Sequence, residues 1–312
     1  MLEWFNIFWE STIGVFDFYK RNLFFETSWS QNYLWGLLLI SLIVWGLEIL
    51  FPWRTSQAIF RKEFFTDLSH MGFNFVLFSI FISGFYEVLS KTFSSLGIEL
   101  QNLAIIDIKR IPEWLGLLIF FILVDFFGWL THIVLHKIPI FWKFHKVHHS
   151  VHEMGFAAHF RFHWMENILY KPLKTLAVLL LGGFEPEQAY LIHFVAILIG
   201  HLNHANIKLD YGWLRFVFNN PVMHLHHHAK ALPQNHSYGV NFGISLSVWD
   251  YLFRTAYVPN ENGNLEIGYI GDEEMPEGFI SQQLFGLKRK QRFKLAPLWL
   301  LRILLKKTSF VI

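Results

Sequence analysis

WLGLLIFFILVDFFGWLTHIVLHK, Trp114 to Lys137, decides the fold. Only Asp125 interrupts its apolar run before the histidines, and the stretch is long enough to cross a hydrocarbon core about 30 Å thick as a tilted helix. It ends on His132 and His136, four residues apart and therefore on one helix face. A membrane span with imidazoles at its end sets the frame for the rest of the chain. Of 312 residues, 53% are hydrophobic, 19% aromatic and only 16% charged, and the mean hydropathy is +0.34. That composition belongs to membrane proteins.

Leu34–Phe51 and Phe73–Leu89 are two further spans by the same criterion. Leu173–Phe184 and Ala189–Leu202, joined at Glu185-Pro186-Glu187, are each short for a crossing and form a helical hairpin that enters the bilayer in part. The expectation is an all-α integral membrane protein, a small transmembrane bundle of about four to five spans including the hairpin. The first twenty residues lack a basic leader and a small-residue cleavage site, so they predict an aromatic interfacial helix or loop. Lysines and arginines gather after the first span (Arg54, Arg61, Lys62), after the third (Lys137, Lys143, Lys146, Arg161) and from Lys288 to Lys294. These segments are expected on the cytoplasmic side. Three parts follow: an N-terminal segment with two spans over 1–113, a catalytic region over 114–260, and a cytoplasmic tail over 261–312. The tail includes an amphipathic stretch, Ala296 to Lys307, suited to an interfacial helix.

Seventeen histidines and no cysteine give the function its chemistry. THIVLHK holds H-x-x-x-H, KFHKVHHS holds H-x-x-H-H, GHLNH holds H-x-x-H, and MHLHHHA repeats H-x-x-H-H at His224, His227 and His228. All are one-face helical spacings. Chance predicts on the order of 0.05 H-x-x-H-H matches in such a chain, and two are present. The topology places these groups at one membrane face. Imidazole suits iron, zinc, copper and nickel, whereas the lack of thiols removes thiolate-bound haem, cysteine-held clusters and cysteine zinc sites. One zinc takes about four ligands, so ten convergent histidines suit two ions. His70 and His193, alone in apolar stretches, are expected as packing residues, and His152 and His236 as solvated or outer groups.

VDFFGWLTHIVLHKIPIFWKFHKVHHS, then RFHWMEN, GHLNHANI and NPVMHLHHHAKALPQNHSYGVNFGISLSVWDYLFRTAYVP, resemble the fatty acid hydroxylase/sterol desaturase superfamily of histidine-rich di-iron membrane oxygenases over roughly Asp125 to Pro259. The resemblance implies metal ligands at His132, His136, His145, His148, His149, His163, His204, His224, His227 and His228, with His201 as a further candidate. It implies two iron ions, O2 as co-substrate and hydroxylation of a lipid C–H bond, or desaturation by the same centre. The lipid could be a sterol, a fatty acyl lipid or an ether lipid. Electrons would come in trans from a ferredoxin, a haem carrier, a reductase or a reduced pterin. Asp125, seven residues before His132, is expected to accept a proton from a ligand imidazole or to bond a neighbouring helix; Glu153, Glu166 and Asp250 are weighed for the same outer role, and Asn241 for folding the tail onto the site. A zinc-dependent membrane hydrolase is the more distant alternative and predicts three ligands with a carboxylate base. A metal transporter would place ligands near the midplane. No nucleic-acid partner is expected. The bacterial inner membrane is the expected location, with the endoplasmic reticulum as the alternative.

Overall fold

The computed structural model describes residues 2–258 and 265–287. The basic stretch from Lys288 to Lys294 and the helix expected over Ala296 to Lys307 lie outside the described residues. The N-terminal residues form a helix, α1 (Leu2–Leu23), followed by α2 (Tyr33–Leu50). Two buried asparagines fix the turn between them: Asn32 Oδ1 accepts the Trp35 N–H at 3.2 Å, which caps α2, and Asn22 Oδ1 accepts the Leu34 N–H at 3.2 Å. α1 packs along α4 (Phe78–Ser95), and Gly84 permits the approach because a side chain there would strike Phe8.

α4 continues from α3 (Phe64–Gly72) through one π-helical segment at Phe73–Leu77. The helical stretch that carries the span expected over Phe73–Leu89 therefore begins at Phe64. Asp67 and His70 made the earlier turns look polar, but both are buried with partners: Asp67 pairs with Arg61 and Arg161, and His70 sits between Gln282 and Gln283. Polar side chains that are satisfied inside a bundle do not end a span.

α5 (Glu113–Lys137) is the long apolar helix quoted above, and it stops at Ile138 because Pro139 disfavours helical backbone at the residue before it. Pro139 then opens α6 (Pro139–His149) at its first turn, where no N–H is needed. α7 (Trp164–Leu180) and α8 (Pro186–His204) form the hairpin. A two-residue parallel pair, β1 (Ile106–Asp107) with β2 (Leu181–Gly182), ties its bend to the segment preceding α5, and Gln188 Nε2 donates to Glu113 Oε1 at 2.8 Å. The hairpin thus runs from the first turn of α5 to the level of its terminal histidines. α7 packs mainly on α5, and α8 packs on both α2 and the 3-10 turn Phe156–Phe160. Short helices α9 (Pro221–His227), α10 (Val248–Leu252) and α11 (Phe279–Gln283) complete the cap.

Three helical stretches are long and apolar enough to cross a membrane among the described residues: Tyr33–Leu50, Phe64–Ser95 and Glu113–Lys137. Their outer faces expose Leu38, Leu39, Leu42 and Ile43 on α2 and Phe81 and Phe85 on α4. Side chains of this kind are at home against acyl chains. The buried ionisable side chains, among them Arg61, Asp67, Arg161, Glu166 and Asp250, gather instead at one end of the bundle, where the histidines lie.

Candidate metal centre

The fold brings nine of the expected histidines together. α5 supplies His132 and His136 from its last turns, the break at Ile138 turns α6 so that His145, His148 and His149 face back, α8 ends on His204, and α9 delivers His224, His227 and His228. They form two groups, His132, His136, His145, His149 and His227, and His148, His204, His224 and His228. Within each, one ring nitrogen per residue lies within 4.8 Å of the others, and all nine are buried.

The second ring nitrogen tells which atom is available. His132 Nδ1 lies 2.8 Å from Phe242 O, His136 Nδ1 2.9 Å from Tyr238 O, and His227 Nδ1 2.7 Å from Val240 O. His148 Nδ1 lies 3.2 Å from Arg161 O, His204 Nδ1 2.8 Å from Gly200 O, and His145 Nδ1 2.7 Å from Glu166 Oε2. Oxygen acceptors require an N–H, so these partners assign the proton to Nδ1 and leave a bare lone pair on Nε2. His132, His145 and His227 Nε2 are buried and have no partner. His148 and His204 present Nε2 to each other at 3.3 Å, and His204 meets His224 Nε2 at 3.0 Å. Two facing lone pairs repel unless a cation lies between them. Ligands at about 2.1 Å from one ion stand about 3.0–3.4 Å apart, which is the spacing seen. The donor set fits two metal ions with nitrogen ligation.

Three of the backbone acceptors, Tyr238, Val240 and Phe242, are alternate residues of one loop after α9. Gly239 has φ of 125°, and a side chain there would crowd His136 Nδ1 at 3.2 Å. Asn241, at φ of 53°, bonds Met223 O at 2.9 Å and both backbone groups of Tyr257, so it folds this loop onto the site. Asp250 accepts from Phe242 N, Gly243 N, Trp129 Nε1 and Thr255 Oγ1.

Of the two uses expected for Asp125, the structure shows the bond to a neighbouring helix, through Trp249 of α10, and not the bond to an imidazole. Its oxygens accept from Ser245 N at 2.8 Å, Leu246 N at 3.1 Å and Trp249 Nε1 at 2.9 Å, so it holds the same loop and takes no proton from an imidazole. Seven residues place it on the right face of α5 but about 10 Å below His132, where the loop's backbone arrives instead. The carboxylate that meets one of the grouped histidines is Glu166. Its Oε2 bonds His145, while Oε1 accepts the His163 N–H at 3.1 Å and caps α7. His163 belongs to neither group. Its Nδ1 accepts the Met165 N–H at 3.1 Å as the N-cap of α7, which puts the neutral ring's proton on Nε2 and removes the lone pair a metal would need.

His201 bonds Ser41 Oγ through Nε2 and His159 through Nδ1, so it too lies outside both groups. His193 stacks on Tyr33 and Phe75, and His152 pairs with Asp272. Glu153 accepts only from the exposed Lys62 N–H among the hydrogen bonds of the described residues. Sequence reasoning missed the network behind His148: buried Arg161 bonds Glu63 twice at 2.8 Å and Asp67 at 3.2 Å, fixing the carbonyl that His148 uses. The arginine in RFH was its only visible sign.

Replacing Glu166 with glutamine keeps the acceptor that caps α7 but turns an amide toward His145 Nδ1. Metal affinity is expected to fall by roughly 10–100-fold with little change in thermal stability, as chelator competition and a thermal scan would report.

Burial, and next the neighbouring imidazoles, hold His145, His148, His149, His224, His227 and His228 well below the ordinary histidine range. They are neutral and ready to ligate. The unfolded chain protonates them near pH 6.5 while the folded metal-free chain does not, so stability is present above that pH and is lost as pH falls below it. Each such residue removes up to about 1.4 kcal/mol per pH unit. The melting temperature of metal-free protein is expected to drop between pH 7.5 and 5.5, and a flat profile would contradict this placement.

A cavity of about 230 Å³ adjoins the two groups. His132, His145, His148, His204 and His224 line one part, and Tyr33, Tyr170, Lys171, Lys174 and His193 line another.

The fatty acid hydroxylase family matches residues 117–255, a range that holds all nine grouped histidines. An ornithine lipid hydroxylase of Rhizobium tropici is 23% identical over 299 residues, covering 93% of this chain and 78% of that protein. Alkylglycerol monooxygenases of Homo sapiens and Xenopus tropicalis are 26% and 24% identical over 146 and 162 residues. Those alignments cover 45% and 52% of this chain but only 30% and 34% of the relatives. No solved structure matches the chain.

Proposed function

We propose that the chain, whose residues 117–255 match the fatty acid hydroxylase family, is a membrane-bound hydroxylase that inserts oxygen from O2 into a C–H bond of a lipid. The observation that carries the reading is the pair of buried histidine groups beside a cavity, in which six residues keep a bare Nε2 lone pair and those of His148 and His204 face each other. His132, His136, His145, His149 and His227 would hold one iron ion, and His148, His204, His224 and His228 the other. Bound iron supplies the activation of O2 that makes an unactivated C–H bond oxidisable. The chain's own residues do the rest. Glu166 and the carbonyls of Tyr238, Val240 and Phe242 keep His145, His136, His227 and His132 in the ligating tautomer, Asp125 and Asp250 anchor the loop that carries those carbonyls, and the cavity walls exclude water and fix one C–H bond.

Names of the relatives, an ornithine lipid hydroxylase and alkylglycerol monooxygenases, favour a polar-headed lipid as substrate. Electrons and protons arrive from a partner in trans, a ferredoxin, a haem carrier, a reductase or a reduced pterin, on the histidine face. The lysine and arginine bias makes that face cytoplasmic in a bacterial inner membrane, and residues 114–260 form the catalytic unit. A zinc hydrolase is disfavoured by the number of inward imidazoles and by the engagement of Glu166 with His145, which leaves it no water to activate. Purified protein, reduced and given a bacterial lipid extract under 18O2, is expected to yield a lipid alcohol carrying the label. Label-free alkene would indicate desaturation, and an O2-independent cleavage product would overturn the reading.

A further inference from the structure

Lys171 and Lys174 are one helical turn apart on α7, and both line the cavity. Neither forms an ion pair with a described residue. Lys171 Nζ lies 3.3 Å from Ser79 Oγ and 5.1 Å from the centre of the Phe78 ring, and Lys174 Nζ lies 5.5 Å from the centre of the Tyr170 ring. The acids of the surrounding helices are committed elsewhere: Asp125 to Ser245, Leu246 and Trp249, and Glu166 to His163 and His145. Two ammonium groups turned into one cavity without a counter-ion are costly, and side chains of this kind mark a site for a missing partner.

Nearer the histidines, Asn203 is 2% exposed and lines the same cavity. Its Nδ2 donates to Ile244 O at 2.8 Å, but its Oδ1 is buried without a partner. An acyl chain would satisfy none of these three groups. On the hydroxylase reading above, we propose that Lys171 and Lys174 seat the carboxylate or phosphate of the substrate's headgroup while Asn203 accepts an N–H or O–H of the same molecule. The oxidised carbon then lies in the head or in the bonds next to it, and not far along an acyl tail. α7 supplies the ruler. Lys171 and Lys174 are five and eight residues from Glu166, about 8 and 12 Å of helical rise from the residue that orients His145. A small polar head fills that distance.

Binding to iron-loaded protein in neutral detergent under nitrogen tests the assignment without turnover. The probes are N-oleoylglycine, its methyl ester, oleoyl lysophosphatidic acid and the chain-free N-acetylglycine. The acid or the phosphate should bind at least about tenfold more tightly than the ester, a difference of about 1.4 kcal/mol, and whichever is tighter names the head. The double variant Lys171→Gln/Lys174→Gln should lose that preference and keep its iron, and Lys171→Arg/Lys174→Arg should retain it. Equal affinity for acid and ester, a preference that survives the glutamine variant, or N-acetylglycine binding as tightly as the lipid would overturn the assignment. If the charge preference holds while no labelled alcohol forms under 18O2, the hydroxylase reading fails and the anion seat stands.

Discussion

His148→Ala combined with His227→Ala is expected to strip the protein of iron and abolish lipid oxidation. Each substitution removes one ligand from a different group. The loss in activity should far exceed the roughly 100-fold that removal of an outer hydrogen-bond partner costs, because neither ion keeps a full set of nitrogen ligands. Elemental analysis and the 18O2 assay read the two consequences separately. Circular dichroism should still report a helical bundle, since the spans are built from residues outside the groups. Retained iron with lost activity would mean that the two histidines touch substrate and not metal.

The second large effect is expected at Asp250, which lies outside both histidine groups. It is buried and accepts from four donors, at 2.6 Å from Thr255 Oγ1, 2.7 Å from Gly243 N, 2.9 Å from Phe242 N and 3.2 Å from Trp129 Nε1. Asp250→Ala leaves those donors unsatisfied inside the cap, at a cost of roughly 3–5 kcal/mol. Because Phe242 also supplies the carbonyl for His132, the loop that orients His132, His136 and His227 should loosen. The variant is expected to melt earlier and to bind iron more weakly in the group containing those three residues. Asp125→Ala acts on the same loop through Ser245 and Leu246 and should shift stability in the same direction, and a change confined to the pH profile would contradict its placement away from the imidazoles.

Much of this was legible in the sequence because hydropathy and spacing are local signals. The third span and the helical H-x-x-H-H boxes on α6 and α9 follow from apolar length and from periods of 3.6 residues, and the nine grouped histidines are among those that the family resemblance implied. What escaped depends on partners distant in sequence. The helix of the second span begins at Phe64, ahead of the apolar run, because Arg61, Arg161, Gln282 and Gln283 satisfy Asp67 and His70. The resemblance implied a ligand at His163, yet its Nδ1 is spent on capping α7. Asp125 sits on the histidine face of α5, but the loop reaching it arrives from 120 residues away. The carbonyls of Tyr238, Val240 and Phe242 carry no side-chain signature at all. Lys171 and Lys174 were visible in LYKPLKTL as charges beside an apolar run, and only the cavity gives them a use.

Metal stoichiometry of protein made in iron-replete medium and purified in detergent, measured beside the single variants His132→Ala and His224→Ala, tests the central claim most directly. Two separate nitrogen sites predict about two irons per chain in the parent and about one in each variant. A single zinc, or metal that survives both substitutions, would contradict the account.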